Sequence, residues 1–538
     1  MKIPNGGELL VDCLVRQGVK HVFSIIGGQM ATIYDAIGST PDIQVVTPRC
    51  ETSAALMACG YTASSGRPCV SMATVGAGVV YEVPGLSKAW FDYIPVISIA
   101  PQVQSYRVKP HQESLQACNQ DELFFPITKW NTIVFHWGRI PQMVDRAFRE
   151  AVTGIPGPTH LDVPVDVLFK RRILTERKER RILVDPGRTR YDGPVSGDSR
   201  EIHSAVEAVG RAQKPLVVVG QGIGRAGRYR GIAGILEELG MPVVTTTVSS
   251  GIMSGKHMCY AGDAAMLTGA ASGLYMLKAA DLVILVGIDR YSKELLPLLD
   301  GEGSKSVVQV EVDPRAFLTG RTDHYAVHAD PRSALAAIRD GLADEGKVGG
   351  YETWRDESVA VGKEAAEANA GDVVVVDQIV RLLGETSTDR DIIVADGEYS
   401  TLAAACLLTK ATYKDLFIMD GRDITGAGLP FALGASMANP GERVILVSDK
   451  NALFCHIREL QPAVCEGVGI TILCIDDAPG EANVADTASV LAGLGCDVTA
   501  FDSEGEGADF RACKSDVPSA LLFETNLLPR ENRVGSKH

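Results

Sequence analysis

Glu51 stands in the stretch TPRCETSAALMACGYTASSG, directly after a β-branched run and ahead of Ala54, Ala55, Leu56 and Ala58. A carboxylate at that place opens an alanine-rich helix. It can serve as a plain helix cap, or as a half-buried acid that exchanges a proton with a nitrogen heterocycle. Further on, ATVGAGVVYEV puts Gly76 and Gly78 just after another strand-like run. Glycines there let the backbone approach a ligand closely, or simply allow a tight turn. From these residues alone, both readings stay open at both places.

Such side chains need a scaffold, and the chain is long enough to build one. Its 538 residues carry 52 Lys+Arg against 67 Asp+Glu, a net charge of −15. That length suits about three or four domains. With 46% hydrophobic and 22% charged residues, wholesale disorder is excluded. The acidic balance argues against nucleic acid as a partner, because phosphate binding needs a basic footprint. Bound anions must be held locally, by backbone N–H groups, a metal or a few cations. Twelve scattered cysteines without a C-x-x-C pair give neither a zinc cluster nor a disulfide framework. The N-terminus reads as an amphipathic helix, not a signal peptide, and no apolar run reaches about 18 residues. A cytoplasmic protein with no membrane partner is expected.

The strand-like runs HVFSII, QVVTP, PCVSMAT and PVISIAP alternate with helical patterns, the mark of βαβ units. GPTHLDVPVDVLFK closes this block, and a charged connector, RRILTERKERRILVDPGRTR, marks a boundary. PLVVVGQGIG, MPVVTTT, ADLVILVGIDR and SVVQVEVDP form a second block. DIIVADGEYS, LFIMDG, RVILVSDKNALF, GITILCIDDAPG and SALLFETN form a third. The expected fold is α/β, with three doubly wound parallel-sheet domains over 1–172, 190–345 and 370–530. Blocks one and three share a texture without a convincing sequence repeat.

Several motifs occur in a fixed order: VKHVFSIIGGQMATIYD with Gly28, RCE at 49–51, the ATVGAG turn, PITKW at 126–130, GPTHLDVPVD, and ITGAGLPFALGA at 424–435. Together they resemble the thiamine-diphosphate-dependent decarboxylase and carboligase family, nearest its acetolactate synthase-like branch. The resemblance covers nearly the whole chain. It implies pyrimidine-binding, central and diphosphate-binding domains, and sites formed between the subunits of a homodimer or homotetramer. It implies that Glu51 protonates the aminopyrimidine of thiamine diphosphate and so activates it, with Gly28, Gly76 and Gly78 against the cofactor. Gln116 falls where relatives carry an active-site glutamine, with Leu115 in place of the usual aromatic residue. Thr425, beside Gly426, stands where relatives place a bulky apolar prop for the cofactor. The implied activity is that of a carboligase or lyase on a small-molecule carbonyl substrate, a 2-oxo acid or a related compound.

The metal motif departs from the family pattern. Relatives carry Gly-Asp-Gly and, after a helix and a strand, Asn-Asn. Here the residues are Ser448-Asp449-Lys450 and Asp476-Asp477, with 28 residues from Asp449 to Asp477. In one reading Asp449 and Asp477 hold Mg²⁺, and Lys450 turns outward or meets the diphosphate as a point charge. In the other, the Lys450 ammonium takes the metal position. The chain would then be a repurposed member that no longer uses thiamine diphosphate, either a flavin- or nucleotide-binding enzyme or a silent partner subunit. The central domain of relatives can hold FAD. In this chain Gly220 and Gly222 follow a strand in VVVGQGIGRAG and Asp313 ends VEVDP, a pattern that also suits ordinary turns.

Overall fold

The β-branched runs form three six-stranded sheets in the computed structural model of the chain. The structure describes all residues except 1, 109–113, 184, 190–192, 224–230, 264–277, 289–298, 300–304, 319–321, 371–373, 398–412, 420–423, 477–486, 502–517 and 525–538. The first sheet holds β1 (His21–Ser24), β2 (Gln44–Val46), β3 (Cys69–Met72), β4 (Val96–Gln102), β5 (Trp130–Ile133) and β6 (Thr159–Pro164). The second holds β7 (Pro215–Val219), β8 (Val243–Thr245), β9 (Tyr260–Asp263), β10 (Leu282–Val286), β11 (Ser306–Glu311) and β12 (His324–His328). In the third are β13 (Ile392–Asp396), β14 (Asp415–Met419), β15 (Val444–Asp449), β16 (Thr471–Asp476), β17 (Asp497–Phe501) and β18 (Ser519–Glu524).

Neighbouring strands pair parallel throughout, as in β1–β3, β7–β10 and β13–β15. Central strands such as β4, β7 and β13 are buried along their whole length, which is why they read as unbroken apolar runs. Numbered within its own sheet, the first runs 2-1-3-4-6-5 and the third repeats that order. The central sheet runs 3-2-1-4-5-6 with β7 as its first strand, the order of dinucleotide-binding folds. In sheets of this kind a crevice opens at the carboxyl ends of the strands where the order reverses. In the first and third sheets that place lies beside β1–β3 and β13–β15.

Two helices join the outer domains. Helix α1 (Glu51–Ser65) is capped by Cys50 and stopped by Gly66 at φ +72°. It has small residues on every side and is buried from Thr52 to Ser64, as expected of a helix without a polar face. Helix α2 (Ala77–Phe91) lies on it, where a Cβ at Gly85 would stand 2.5 Å from the Thr52 carbonyl oxygen. Helix α3 (Gly428–Ala438) of the third domain crosses α1 at two glycines. A Cβ on Gly60 would stand 1.9 Å from the Phe431 oxygen, and one on Gly434 would stand 1.9 Å from the Met57 oxygen. Gly434→Ala should therefore force the helices apart and cost about 1–3 kcal/mol. An unchanged thermal midpoint for that variant would show that the crossing is loose.

The central domain is fastened to both neighbours. Gly251 lies against β14, its Cβ position 2.1 Å from the Leu416 oxygen. At the junction of all three domains Lys88 Nζ is 2.6 Å from Asp92 Oδ2, and both side chains are almost fully buried. Gln221 of the central domain donates to Asp92 Oδ1, and the Lys88 ammonium lies 5.6 Å from the centre of the Phe431 ring. Among the described residues ten cysteines are free, and no helix is long and apolar enough to cross a membrane.

Candidate active site

At the carboxyl ends of β1 and β3 the predicted residues of the first domain converge. Glu51 is the first residue of α1, at the positive end of that helix. Its carboxylate lies over the turn after β3: a Cβ at Gly78 would stand 2.9 Å from Glu51 Oε1 and 3.0 Å from Thr74 Cγ2. Gly76 has φ +89°, and its face is covered by Gln116, whose carbonyl oxygen is 2.8 Å from the Cβ position. Gln116 itself sits at φ +66°, a conformation that L residues rarely adopt, and its side chain is exposed. Among the described residues nothing lies within 4 Å of a Cβ built on Gly28, so the strand end opposite is open to them. Leu115, beside Gln116, is 90% exposed.

Two further residues complete this corner and were not singled out in the sequence. Thr74 Oγ1 donates to Gln29 Oε1 at 3.0 Å, and Gln29 Nε2 donates to Gln116 Oε1 at 3.0 Å. The chain Thr74–Gln29–Gln116 ties the turn after β1 to the turn after β3 and fixes the amide of Gln116. Both residues stand inside the motifs quoted above. Glutamine after a glycine pair was the available signal.

Behind the turn a polar chain runs through the core. Ser98 donates to Glu82 Oε2 at 2.8 Å and lies 2.9 Å from His160 Nδ1, while His160 Nε2 is 3.1 Å from Asp162 Oδ1. Burial pushes the Glu82 carboxyl up from its ordinary value, and the neighbouring Glu51 charge adds to that. Asp162 is raised for the same first reason, burial.

The third domain brings a second group together at the ends of β13 and β15. Asp396 Oδ2 accepts from Gly428 N at 2.7 Å, anchoring the turn that carries Thr425 and Gly426. Thr425 is exposed on this turn. Gly426 has φ +84°, with Ala452 O and Cys455 Cβ each 2.5 Å from its Cβ position. Asp449 ends β15 and packs on Gly397, where φ is +108° and a Cβ would stand 2.5 Å from Asp449 Cγ. Only glycine allows that contact. Lys450 opens helix α4 (Lys450–Cys455) and is 9% exposed. The neighbouring β16 pairs Ile475 with Asp449 and ends at Asp476. Asp477 lies outside the described residues. Asp396 is the residue of this group that sequence reasoning passed over, although it stands in the quoted DIIVADGEYS.

Among the described residues, those of the central domain pack against neighbouring strand ends. Gly220 and Gly222 are packed on Gly287, whose oxygen is 2.5 and 2.8 Å from the two Cβ positions, and Gly222 N donates to that oxygen at 2.7 Å. Asp313 caps a short turn and is held by Arg315, with Nε 2.9 Å from Oδ1 and an Nη 2.9 Å from Oδ2. These glycines serve close packing between strand ends, and the aspartate serves a cap.

The chain matches the thiamine pyrophosphate enzyme family three times. Residues 4–123 match its N-terminal TPP binding domain, 202–338 its central domain and 397–479 its C-terminal TPP binding domain. Together these cover more than half of the chain. It is 25% identical over 478 residues to the acetolactate synthase isozyme 2 large subunit of Escherichia coli (strain K12), spanning 88% of this chain and 83% of that one. It is 26% identical over 494 residues to the chloroplastic acetolactate synthase of Arabidopsis thaliana, spanning 88% and 70%. The Escherichia coli isozyme 3 large subunit is 26% identical over 472 residues, spanning 86% and 80%. In the same order along the chain stand Glu51 over its glycine turn, a central sheet of dinucleotide-fold order and the Asp396–Asp449 corner. The chain belongs to the thiamine pyrophosphate enzyme family, on its acetolactate synthase-like branch, and is an enzyme of the kind that makes or breaks carbon–carbon bonds.

Proposed function

We propose that the protein is a carboligase or lyase that uses thiamine diphosphate on 2-oxo acids or related carbonyl compounds. The observation that carries this reading is the Glu51 carboxylate held over Gly78 at an open strand end, with Gln116 fixed beside it by Gln29. Bound thiamine diphosphate supplies a carbanion centre and an electron sink for the carbonyl carbon. The residues present fit its heterocyclic end. Gly78 leaves the space that Glu51 needs, and Glu51 is the group that gives and takes a proton there. Gln116 offers an amide that orients a polar substrate, and exposed Leu115 forms an apolar wall at the mouth.

At the diphosphate end Asp449 offers a carboxylate for Mg²⁺, which accepts such oxygens readily. Asp477 joins it in this proposal. Lys450, buried at the same strand end, adds a positive charge suited to the diphosphate, and so need not displace the metal. Matches to both TPP binding domains favour this use over a repurposed chain. Assembly as a homodimer or homotetramer with sites between subunits, and a cytoplasmic address, belong to the same proposal. So does FAD, for which the strand order of the central sheet is the support, though Gly220, Gly222 and Asp313 are otherwise engaged.

The test is a thermal melt of the full chain with and without thiamine diphosphate and Mg²⁺, followed by CO₂ release from pyruvate. A native-state ligand at about 100 times its dissociation constant stabilises by about 2.7 kcal/mol. A rise in midpoint with CO₂ release is expected. No rise at millimolar cofactor would end the proposal. In the Lys450→Gly variant the midpoint rise should shrink and still require Mg²⁺. A larger rise would instead show that the lysine blocks the metal.

A further inference from the structure

Where α1 meets the third domain, a polar cluster is buried beside the strand-end corners, with His456 Cδ2 3.3 Å from the Cβ position of Gly426. Cys50 Sγ accepts from Ser53 N at 3.4 Å and lies 3.1 Å from Ser53 Oγ. That hydroxyl is 3.1 Å from His456 Nδ1. Glu459, on the turn Ile457–Glu459, is fully buried. Its Oε2 accepts from Arg49 N at 2.9 Å, while among the described residues Oε1 has no well-aligned hydrogen bond and has Arg458 Nε 3.7 Å away, with the Ser53 hydroxyl also beside the carboxylate. One donor atom from each of Cys50, His456 and Glu459 lies within 4.8 Å of the other two.

A buried carboxylate oxygen met only by a distant guanidinium and a poorly aligned hydroxyl is incompletely satisfied, and native structures seldom leave one so. A neutral imidazole has a lone pair to offer, and His456 Nδ1 faces the Ser53 hydroxyl between the two other donors. A thiol, a neutral imidazole and a carboxylate around one point form a donor set for a borderline-soft divalent ion. Thiolate and carboxylate together cancel a double positive charge, which suits a site sealed from water. Tetrahedral zinc bonds of about 2.0–2.3 Å put ligand atoms roughly 3.3–3.8 Å apart, so the three need to close by about 1 Å.

We propose that Cys50, His456 and Glu459 bind one divalent transition-metal ion, zinc being the best match, with Ser53 Oγ or a water in fourth place. Two domains supply the ligands, so the ion would clamp them together one residue from Glu51. It is a different site from the Asp449 corner, whose oxygen donors suit magnesium.

The full chain, stripped with a chelator and titrated with Co²⁺, tests this. One equivalent should bind and give a thiolate-to-cobalt charge-transfer band with strong four-coordinate visible bands, and Zn²⁺ should bleach both. Cys50→Ser should abolish the charge-transfer band and weaken zinc binding at least about 100-fold, since it removes a direct ligand. His456→Gln should weaken zinc binding likewise, and circular dichroism of both variants checks that they fold. Cys465→Ser and Asp449→Asn should keep the band. Cobalt bound without the thiolate band, or zinc affinity equal in wild type and Cys50→Ser, overturns the proposal.

Discussion

Glu51→Gln is expected to lower turnover of a 2-oxo acid by at least about 100-fold while the protein still binds thiamine diphosphate. Glutamine has the size of glutamate and keeps an oxygen over Gly78, so the corner built by Gly76, Gly78 and Gln116 has no reason to collapse. What it lacks is the exchangeable carboxyl proton. Positioned acid–base groups are worth about 10²–10⁴ in rate, which sets the size of the loss. The effect should fall on kcat, with KM little changed, because Glu51 is proposed to act on the cofactor and not to hold the substrate. Initial rates of CO₂ release and the cofactor-dependent shift in melting midpoint give the two readouts. A variant that keeps more than a tenth of the wild-type rate would remove Glu51 from the mechanism.

Lys88→Met should produce the largest loss of stability. The Lys88–Asp92 pair is 1% and 2% exposed, and Gln221 holds the other carboxylate oxygen. Removing the cation strands a carboxylate in the seam of three domains. Breaking a buried pair on one side costs about 3–5 kcal/mol, even where the intact pair adds little net stability. Adding Asp92→Asn to the variant should recover much of the loss, because the amide is neutral and can still accept from Gln221. That recovery separates a charge effect from lost packing of the lysine stem. A chain of this size need not unfold in one step, so the first thermal transition is the quantity to compare. If the single and double variants melt together, the stranded charge is not the cause.

Much of the architecture can be read in the chain because parallel strands buried on both faces leave unbroken β-branched runs. PVISIAP and DIIVAD each mark a strand, β4 and β13. The order of strands is less legible. A βαβ unit has the same local pattern whichever neighbour it crosses to, so the matching order of the outer sheets shows only in three dimensions. Glu51, Gly76, Gly78 and Gln116 could be picked out because their motifs follow one another in order. Gly220, Gly222 and Asp313 show the limit of that approach. A glycine turn records that something comes close, and here it is the Gly287 backbone, while Arg315 two residues on takes the aspartate. The Cys50–His456–Glu459 cluster escapes any spacing rule, since 410 residues separate Arg49 from Glu459, its hydrogen-bond partner.

The crossing of α1 and α3 has one more property. Both helices lead from the second to the third strand of their sheets, and the sheets have one order. Gly60 meets the carbonyl of Phe431, three residues before Gly434, and Gly434 meets that of Met57, three residues before Gly60. Such self-complementary pairing is the isologous contact of a symmetric dimer, here enclosed within one polypeptide. The same approximate dyad pairs Thr425, nine residues before Gly434, with Glu51, nine before Gly60. The Glu51 corner of the first domain and the Thr425 turn of the third are thus two copies of one place in the fold, one furnished with a carboxyl and the other with a hydroxyl.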